Sequence, residues 1–196
     1  MATLSDSFHQ TAESPAIIVP SKSENALTLS YKQLALHIAS LQKKLSNLGV
    51  APRSAVSIAL PNSLEFIVVF LATACQRAIT APLNPAYKQD EFEFYIDDLK
   101  SAVVIVPRGA VESNGPAVRA ARKYRAAIAE CYWDARRDEL ILDVKDRGAL
   151  RNAKKQSIQR AQPDDIALIL HTSGTTGRPK AVCYPVDTSP ANNSLA

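Results

Sequence analysis

The densest chemistry in the sequence lies near its end. The apolar run Ile166-Ala167-Leu168-Ile169-Leu170 leads straight into His171-Thr172-Ser173-Gly174-Thr175-Thr176-Gly177-Arg178-Pro179-Lys180. Thr172 and an unbroken series of hydroxyl or glycine residues, Ser173 to Gly177, come before a lysine. Glycines let a backbone turn sharply, and successive N–H groups aimed at one point form an anion-binding nest. Hydroxyls add donors, and Lys180 adds a mobile positive charge. A loop after a parallel strand lies at the carboxyl edge of its sheet, where α/β folds bind ligands. These residues predict a phosphate-gripping loop. It is not a Walker A loop, which ends in Gly-Lys-Ser/Thr after four spacers. Here Pro179 stands between Gly177-Arg178 and Lys180, and Ala181 follows the lysine. A P-loop kinase or GTPase is therefore disfavoured.

Other reactive side chains read as structural. His171 has no acidic neighbour in sequence to orient its ring as a base requires, so a structural role at a strand end is expected. His37 lies at the edge of an apolar helix face and is expected to be packed. Cys131 and Cys183 read as buried or incidental thiols rather than nucleophiles. Glu91, Asp97 and Asp98 fall on the polar side of a helix and read as a solvated face. Two basic clusters stand out: Arg119, Arg122, Lys123 and Arg125, then Lys145, Arg147, Arg151, Lys154, Lys155 and Arg160. They lack interleaved aromatics apart from Tyr124 and carry no nucleic-acid fold signature. A solvated surface and no nucleic-acid partner are expected.

The elements that hold the loop follow from pattern. Ala16–Val19 and Leu27–Leu29 are short strand candidates. Ser30-Tyr31-Lys32-Gln33 is a capping box, and Leu34, Ile38, Leu41, Leu45 and Leu48 then repeat at helical period until Gly49 stops the helix. A strand over 54–60 precedes a very apolar helix from Asn62 to about Cys75, which predicts burial on most sides. A short strand over 79–81 and a helix with Phe92, Tyr95, Ile96 and Leu99 inward come next. Val103 to Val106 and Ile166 to Leu170 read as strands buried on both faces. A helix over 117–124 and strands over 126–132 and 140–144 fill the middle. Such alternation predicts an α/β fold with a mostly parallel sheet.

The chain has 196 residues, a net charge of +4, 46% apolar and 21% charged residues. That balance excludes wholesale disorder. Cysteines at 75, 131 and 183 lack metal spacing and cannot all pair, so reduced intracellular thiols are expected. No basic-plus-apolar signal peptide opens the sequence, and the apolar run Phe66 to Cys75 is too short to span a bilayer.

Residues 172 to 180 match, at every position, the signature Thr-Ser-Gly-Ser/Thr-Thr-Gly-x-Pro-Lys of the adenylate-forming enzymes, which include acyl-CoA synthetases, luciferases and peptide-synthetase adenylation domains. The chain also resembles them at Leu29-Ser30-Tyr31, at Ile58-Ala59-Leu60-Pro61-Asn62-Ser63-Leu64-Glu65-Phe66, and at Pro82-Leu83-Asn84-Pro85-Ala86-Tyr87 followed by Glu91. The stretch Pro82 to Pro107 looks most like the fungal and plant peroxisomal synthetases of the oxalyl-CoA type. Residues 14–182 then correspond to the first part of the family's large N-terminal domain. Residues 1–13 are expected to be disordered, 145–163 to form a basic linker or surface excursion, and 183–196 to form a disordered tail unlike the family.

The resemblance implies an AMP-forming acid–CoA ligase that uses ATP, magnesium, CoA and a small carboxylic acid. It implies that Thr172, Ser173, Gly174, Thr175, Thr176 and Gly177 hold the β- and γ-phosphates while Lys180 neutralises them. It assigns no catalytic residue and no metal ligand to this chain. The family's adenine pocket, magnesium-binding glutamate, ribose-binding aspartate and mobile-domain lysine have no counterpart here. Two expectations follow: a fragment inactive by itself, or a non-catalytic interaction protein, either of them prone to self-associate through exposed apolar surface. Ser194-Leu195-Ala196 is not a Ser-Lys-Leu-type address, so a cytoplasmic location is expected even if full-length relatives are peroxisomal.

Overall fold

Strands β1 (Pro15–Val19) and β2 (Leu27–Ser30) pair antiparallel and lead into helix α1 (Tyr31–Leu48). The computed structural model describes residues 10–20, 26–172 and 180–185. The helix starts where the capping box predicts. The Ser30 hydroxyl accepts from the Gln33 N–H at 3.2 Å, and the Gln33 side chain accepts from the Ser30 N–H at 2.8 Å. Leu34, Ile38, Leu41, Leu45 and Leu48 are buried along one face. Gly49 ends the helix at φ 100°, and a Cβ there would lie 2.5 Å from the Ala153 side chain. Only glycine suits both demands.

The main sheet then assembles from β3 (Ala55–Ile58), β4 (Ile79–Pro82), β5 (Val103–Pro107), β6 (Ala127–Asp134), β7 (Glu139–Asp146), β8 (Ile166–His171) and β9 (Ala181–Pro185). Their order is β7-β6-β5-β3-β4-β8-β9. The five inner strands run parallel, and the two edge strands are antiparallel. This is the mostly parallel α/β sheet that the alternating pattern predicts. Helices α2 (Leu64–Cys75), α3 (Gln89–Asp98), the single turn α4 (Ala110–Ser113) and α5 (Pro116–Lys123) lie between the strands. A 3₁₀ turn, Gly148–Leu150, follows β7.

The sheet is covered on both faces. Val103 and Ile105 join a core with α1 and α2, while Val104 and Val106 join a second core with Phe92, Ile96 and Val118 from α3 and α5. Side chains that alternate across a strand therefore supply both layers, which is why Val103 to Val106 reads as a continuous apolar run.

The basic stretch 145–163 divides. Its start belongs to β7, while residues 151–162 form no helix or strand yet are pinned to the body. The Gln156 N–H donates to the Ser46 carbonyl at 3.1 Å, and the Ser46 hydroxyl donates to the Gln156 carbonyl at 2.6 Å. Where the stretch rejoins the sheet, Arg77 grips Asp165 with two parallel bonds, Nε to Oδ2 at 2.7 Å and Nη2 to Oδ1 at 3.0 Å. Burial alone raises the Asp165 carboxyl, but the Arg77 guanidinium, the Gln162 N–H and the Arg53 charge outweigh it and hold it low. This clamp fixes the entry to β8, whose only residue pairing with β4 is Thr80 to Leu168.

A carboxyl held low stabilises the fold above its unfolded pKa, about 3.9. That contribution is lost as pH falls through the lower folded value. Arg77→Ala is expected to lower the thermal midpoint by a few degrees at pH 7, with the gap from wild type closing in acid below pH ~3. Thermal melts of both proteins across that range check it, and a gap independent of pH contradicts it.

Three expectations need correction. The segment from Cys183 is not wholly a disordered tail, because Ala181–Pro185 pairs antiparallel with β8 as β9; residues 186–196 lie outside the described part. The β8 strand is not buried on both faces: Ala167 is buried, but Leu170 is 38% exposed, because β8 sits one strand from the sheet edge. Helix α2 is also less covered than its composition predicts. Val68, Val69 and Ala72 are fully buried, whereas Ile67 is exposed beside β1.

Candidate functional site

Strand β8 delivers the predicted loop to the carboxyl edge of the parallel strands. Residues 172–180 join β8 to β9, and their two ends meet. The Thr172 N–H donates to the Lys180 carbonyl at 2.9 Å. The Thr172 hydroxyl lies 3.4 Å from both the carbonyl oxygen and the amide nitrogen of Lys180. Thr172 and Lys180 are exposed, and the Lys180 ammonium has no carboxylate partner among the described residues. Ser173, Gly174, Thr175, Thr176 and Gly177 lie outside the described residues. The structure therefore brings together the first and last of the predicted site residues, at the base of the loop.

Two other crossings open at the same edge. After β3, Pro61 and Asn62 lead to Ser63, whose hydroxyl accepts from the Phe66 N–H at 3.3 Å and caps α2. After β4, Asn84 accepts from the Ala86 N–H at 2.9 Å and shapes the turn before α3. The Glu91 carboxylate accepts from the Lys88 N–H at 2.8 Å. Glu91 is thus a helix-start residue rather than part of a merely solvated face.

The larger surprise is His171. Its Nε2 lies 2.9 Å from Asp98 Oδ2, and its side chain is only 6% exposed. The ring packs against Tyr95, at 4.7 Å between centroids, and Phe94, at 6.3 Å. The imidazole therefore does have an orienting carboxylate, 73 residues upstream. Asp98 in turn is not simply solvated. Neighbouring Asp97 pairs with Lys100 at 2.5 Å instead. Burial and the Tyr87 hydroxyl push the Tyr95 phenol up to about 12, so it stays neutral at physiological pH.

The remaining candidates lie elsewhere. His37 packs edge-on against Trp133 at 5.2 Å, and burial pulls its imidazole below the ordinary value. Cys131 is buried and its thiol is pushed up to about 12, while Cys75 is pushed up to about 11; neither is a thiolate near neutrality. Cys183 is exposed on β9. The first basic cluster is largely engaged locally: Arg119 with Gln89 and Asn114, Arg122 with Asn114, and Lys123 with Glu93. In the second, Arg147 donates to the Leu48 carbonyl at 3.1 Å and Lys145 pairs with Asp143 at 2.6 Å. Among the described residues no group of three His, Cys, Asp or Glu side chains is placed to hold a metal ion, and no helix is long and apolar enough to cross a membrane.

The chain as a whole is similar to known proteins. The family described as AMP-binding enzyme matches residues 4–193, a wider span than residues 14–182. An oxalate–CoA ligase of Arabidopsis thaliana is 40% identical over 139 residues, covering 70% of this chain and 26% of that protein. An oxalate–CoA ligase of Saccharomyces cerevisiae is 34% identical over 206 residues, covering 92% of this chain and 37% of that protein. Among solved structures, an acyl-CoA synthetase of Brucella canis shares the fold with a TM-score of 0.67 at 19% identity, covering 89% of this chain and 31% of its own. ATP-bound MatB from Rhodopseudomonas palustris does so with a TM-score of 0.65 at 24% identity, covering 90% and 33%. The chain spans 26% and 37% of the length of the two ligases. With the family matched over nearly the whole sequence and the oxalate–CoA ligases among its relatives, the chain belongs to the adenylate-forming, AMP-binding enzymes.

Proposed function

We propose that this chain carries the phosphate-binding part of an ATP-dependent acid–CoA ligase, with Thr172, Ser173, Gly174, Thr175, Thr176, Gly177 and Lys180 as the grip on the β- and γ-phosphates. One observation supports this above the others. Thr172 and Lys180 are joined at 2.9 Å at the carboxyl edge of the sheet, leaving an exposed ammonium without a carboxylate partner among the described residues. An anion at that point meets the positive charge of Lys180, which is electrostatic positioning of a leaving group rather than covalent catalysis. ATP, when bound, supplies the phosphoanhydride whose cleavage drives activation of a carboxylate; in the complete ligase CoA then accepts the acyl group. Thr172 holds the base of the loop, and Lys180 neutralises charge as pyrophosphate departs. The carboxylate is proposed to be a small acid, and the oxalate–CoA ligases that resemble this chain make oxalate the first to test. A magnesium ion belongs to the same proposal; among the described residues no group of three His, Cys, Asp or Glu side chains is placed to hold it.

The test is made in a complete ligase of the oxalate type carrying residues 166–185 of this chain. Lys180→Ala is expected to slow adenylate formation by a factor equivalent to about 1.5–3 kcal/mol, the scale of a hydrogen bond to a charged group. Stopped-flow adenylation at limiting and saturating ATP measures it. Unchanged rates at both concentrations contradict a phosphate role for Lys180.

A further inference from the structure

The end of β8 is paired on one side only, with β9 through His171 and Ala181. Its residue pairing with β4 is the single one of Thr80 with Leu168, supported by the Thr80 hydroxyl on the Ala167 carbonyl. Beyond Leu168, its one strand neighbour is the exposed edge strand β9. Yet the next residue after this strand, Thr172, begins the loop.

On the other side, the tie from this end to the body of the domain is the side chain of His171. The residue sits directly before Thr172, with its imidazole on Asp98 at 2.9 Å and its ring against Tyr95 and Phe94. All three partners come from α3, and α3 is anchored in the second core by Phe92 and Ile96, which are buried. The aromatic contacts restrict the ring plane, and the carboxylate fixes the direction of Nε2. Two unlike interactions therefore define the position of one side chain next to the loop.

We propose that His171 is the positioning residue of the phosphate loop and that Asp98 sets its orientation. The inference rests on the phosphate-loop reading and adds the device that preorganises it. A loop whose donors are held in place spends less of its binding free energy on ordering. If the tie is cut, the fraction of molecules with a competent loop falls, and apparent affinity falls by the same fraction. Lys180 then still carries its charge, but the base it shares with Thr172 wanders.

The experiment uses the 196-residue chain labelled with ¹⁵N at glycine and histidine. Gly174 and Gly177 report on the loop, and the histidine ring nitrogens report on the tie. ATP is titrated into wild type, Asp98→Asn, His171→Phe and His171→Gln. In wild type the Gly174 and Gly177 amides are expected to shift with ATP. Asp98→Asn and His171→Phe are expected to weaken the apparent affinity by about three- to tenfold. His171→Gln, whose amide N–H can still reach Asp98, is expected to recover most of the loss. Without ATP, the His171 Nε2 resonance is expected to move in Asp98→Asn.

An affinity equal in all four proteins overturns the inference and leaves the phosphate loop standing. So does an equal loss in His171→Phe and His171→Gln that follows their thermal midpoints, because that is a structural role alone. Absence of any wild-type response to ATP overturns the phosphate-loop reading and this inference with it. In that case an Nε2 shift in Asp98→Asn still records that the tie itself exists.

Discussion

The 196-residue chain, purified alone, is expected to show no carboxylate-dependent exchange of pyrophosphate into ATP above about a thousandth of the rate of a complete relative. Removal of a single transition-state donor already costs roughly 10²–10³ in rate, and several groups acting together are needed for the remainder. The loop contributes hydroxyls, backbone N–H groups and Lys180. The chain spans 26% and 37% of the length of the two oxalate–CoA ligases it resembles, so most of the length of such a ligase is not among these 196 residues. Radiolabelled pyrophosphate exchange with oxalate and other small acids measures the outcome. Robust exchange with any of them contradicts the division of labour argued here.

The second large effect is expected at Phe92. Its side chain is 1% exposed and fills the second core beside Ile96, Val104, Val106 and Val118. Tyr87 meets it edge-on at 5.9 Å and stacks on Tyr95 at 5.1 Å. Phe92→Ala removes the anchor of α3 and leaves a void that the rigid sheet below fills poorly. A loss of about 3–5 kcal/mol is expected, out of a total stability of roughly 5–15 kcal/mol for an ordinary domain. Urea unfolding of both proteins checks it. A loss below about 1 kcal/mol means that the helix is held elsewhere.

Much of this fold was legible because local and tertiary demands agree. The capping box at Ser30 and Gln33, the leucine repeat behind it and the stop at Gly49 each restrict the same helix, and α1 forms between them. Val103 to Val106 announced a strand covered on both faces because both faces are indeed covered. The pattern was less informative where neighbours decide burial. Ile166 to Leu170 reads like Val103 to Val106, but its place beside an edge strand leaves Leu170 exposed. The strand over Ala181–Pro185 was hidden because a short segment ending in proline carries little signal of its own and gains its form by pairing with β8.

The site was legible as chemistry but not as geometry. Thr-Ser-Gly-Thr-Thr-Gly and then Lys180 predict a phosphate loop without coordinates. The tie between His171 and Asp98 joins residues 73 positions apart. Nothing in either neighbourhood marks the pair, since Asp98 follows Asp97 on a helix with an apolar inner face and His171 ends an apolar strand. The aromatic pair Phe94-Tyr95, on the same helix, was the one available hint that something packs at its end. The clamp of Arg77 on Asp165 was hidden for the same reason, because a turn residue and a residue before a strand meet only once the sheet forms.

The central claim, that residues 172–180 grip the β- and γ-phosphates, is tested most directly by ³¹P resonance of ATP titrated with the 196-residue chain and with its Lys180→Ala variant. The β- and γ-phosphorus lines are expected to shift or broaden more than the α line in the presence of the wild-type chain, and to lose that selectivity with Lys180→Ala. Lines that stay unchanged with wild type, or a perturbation that is the same with both proteins, contradict the claim.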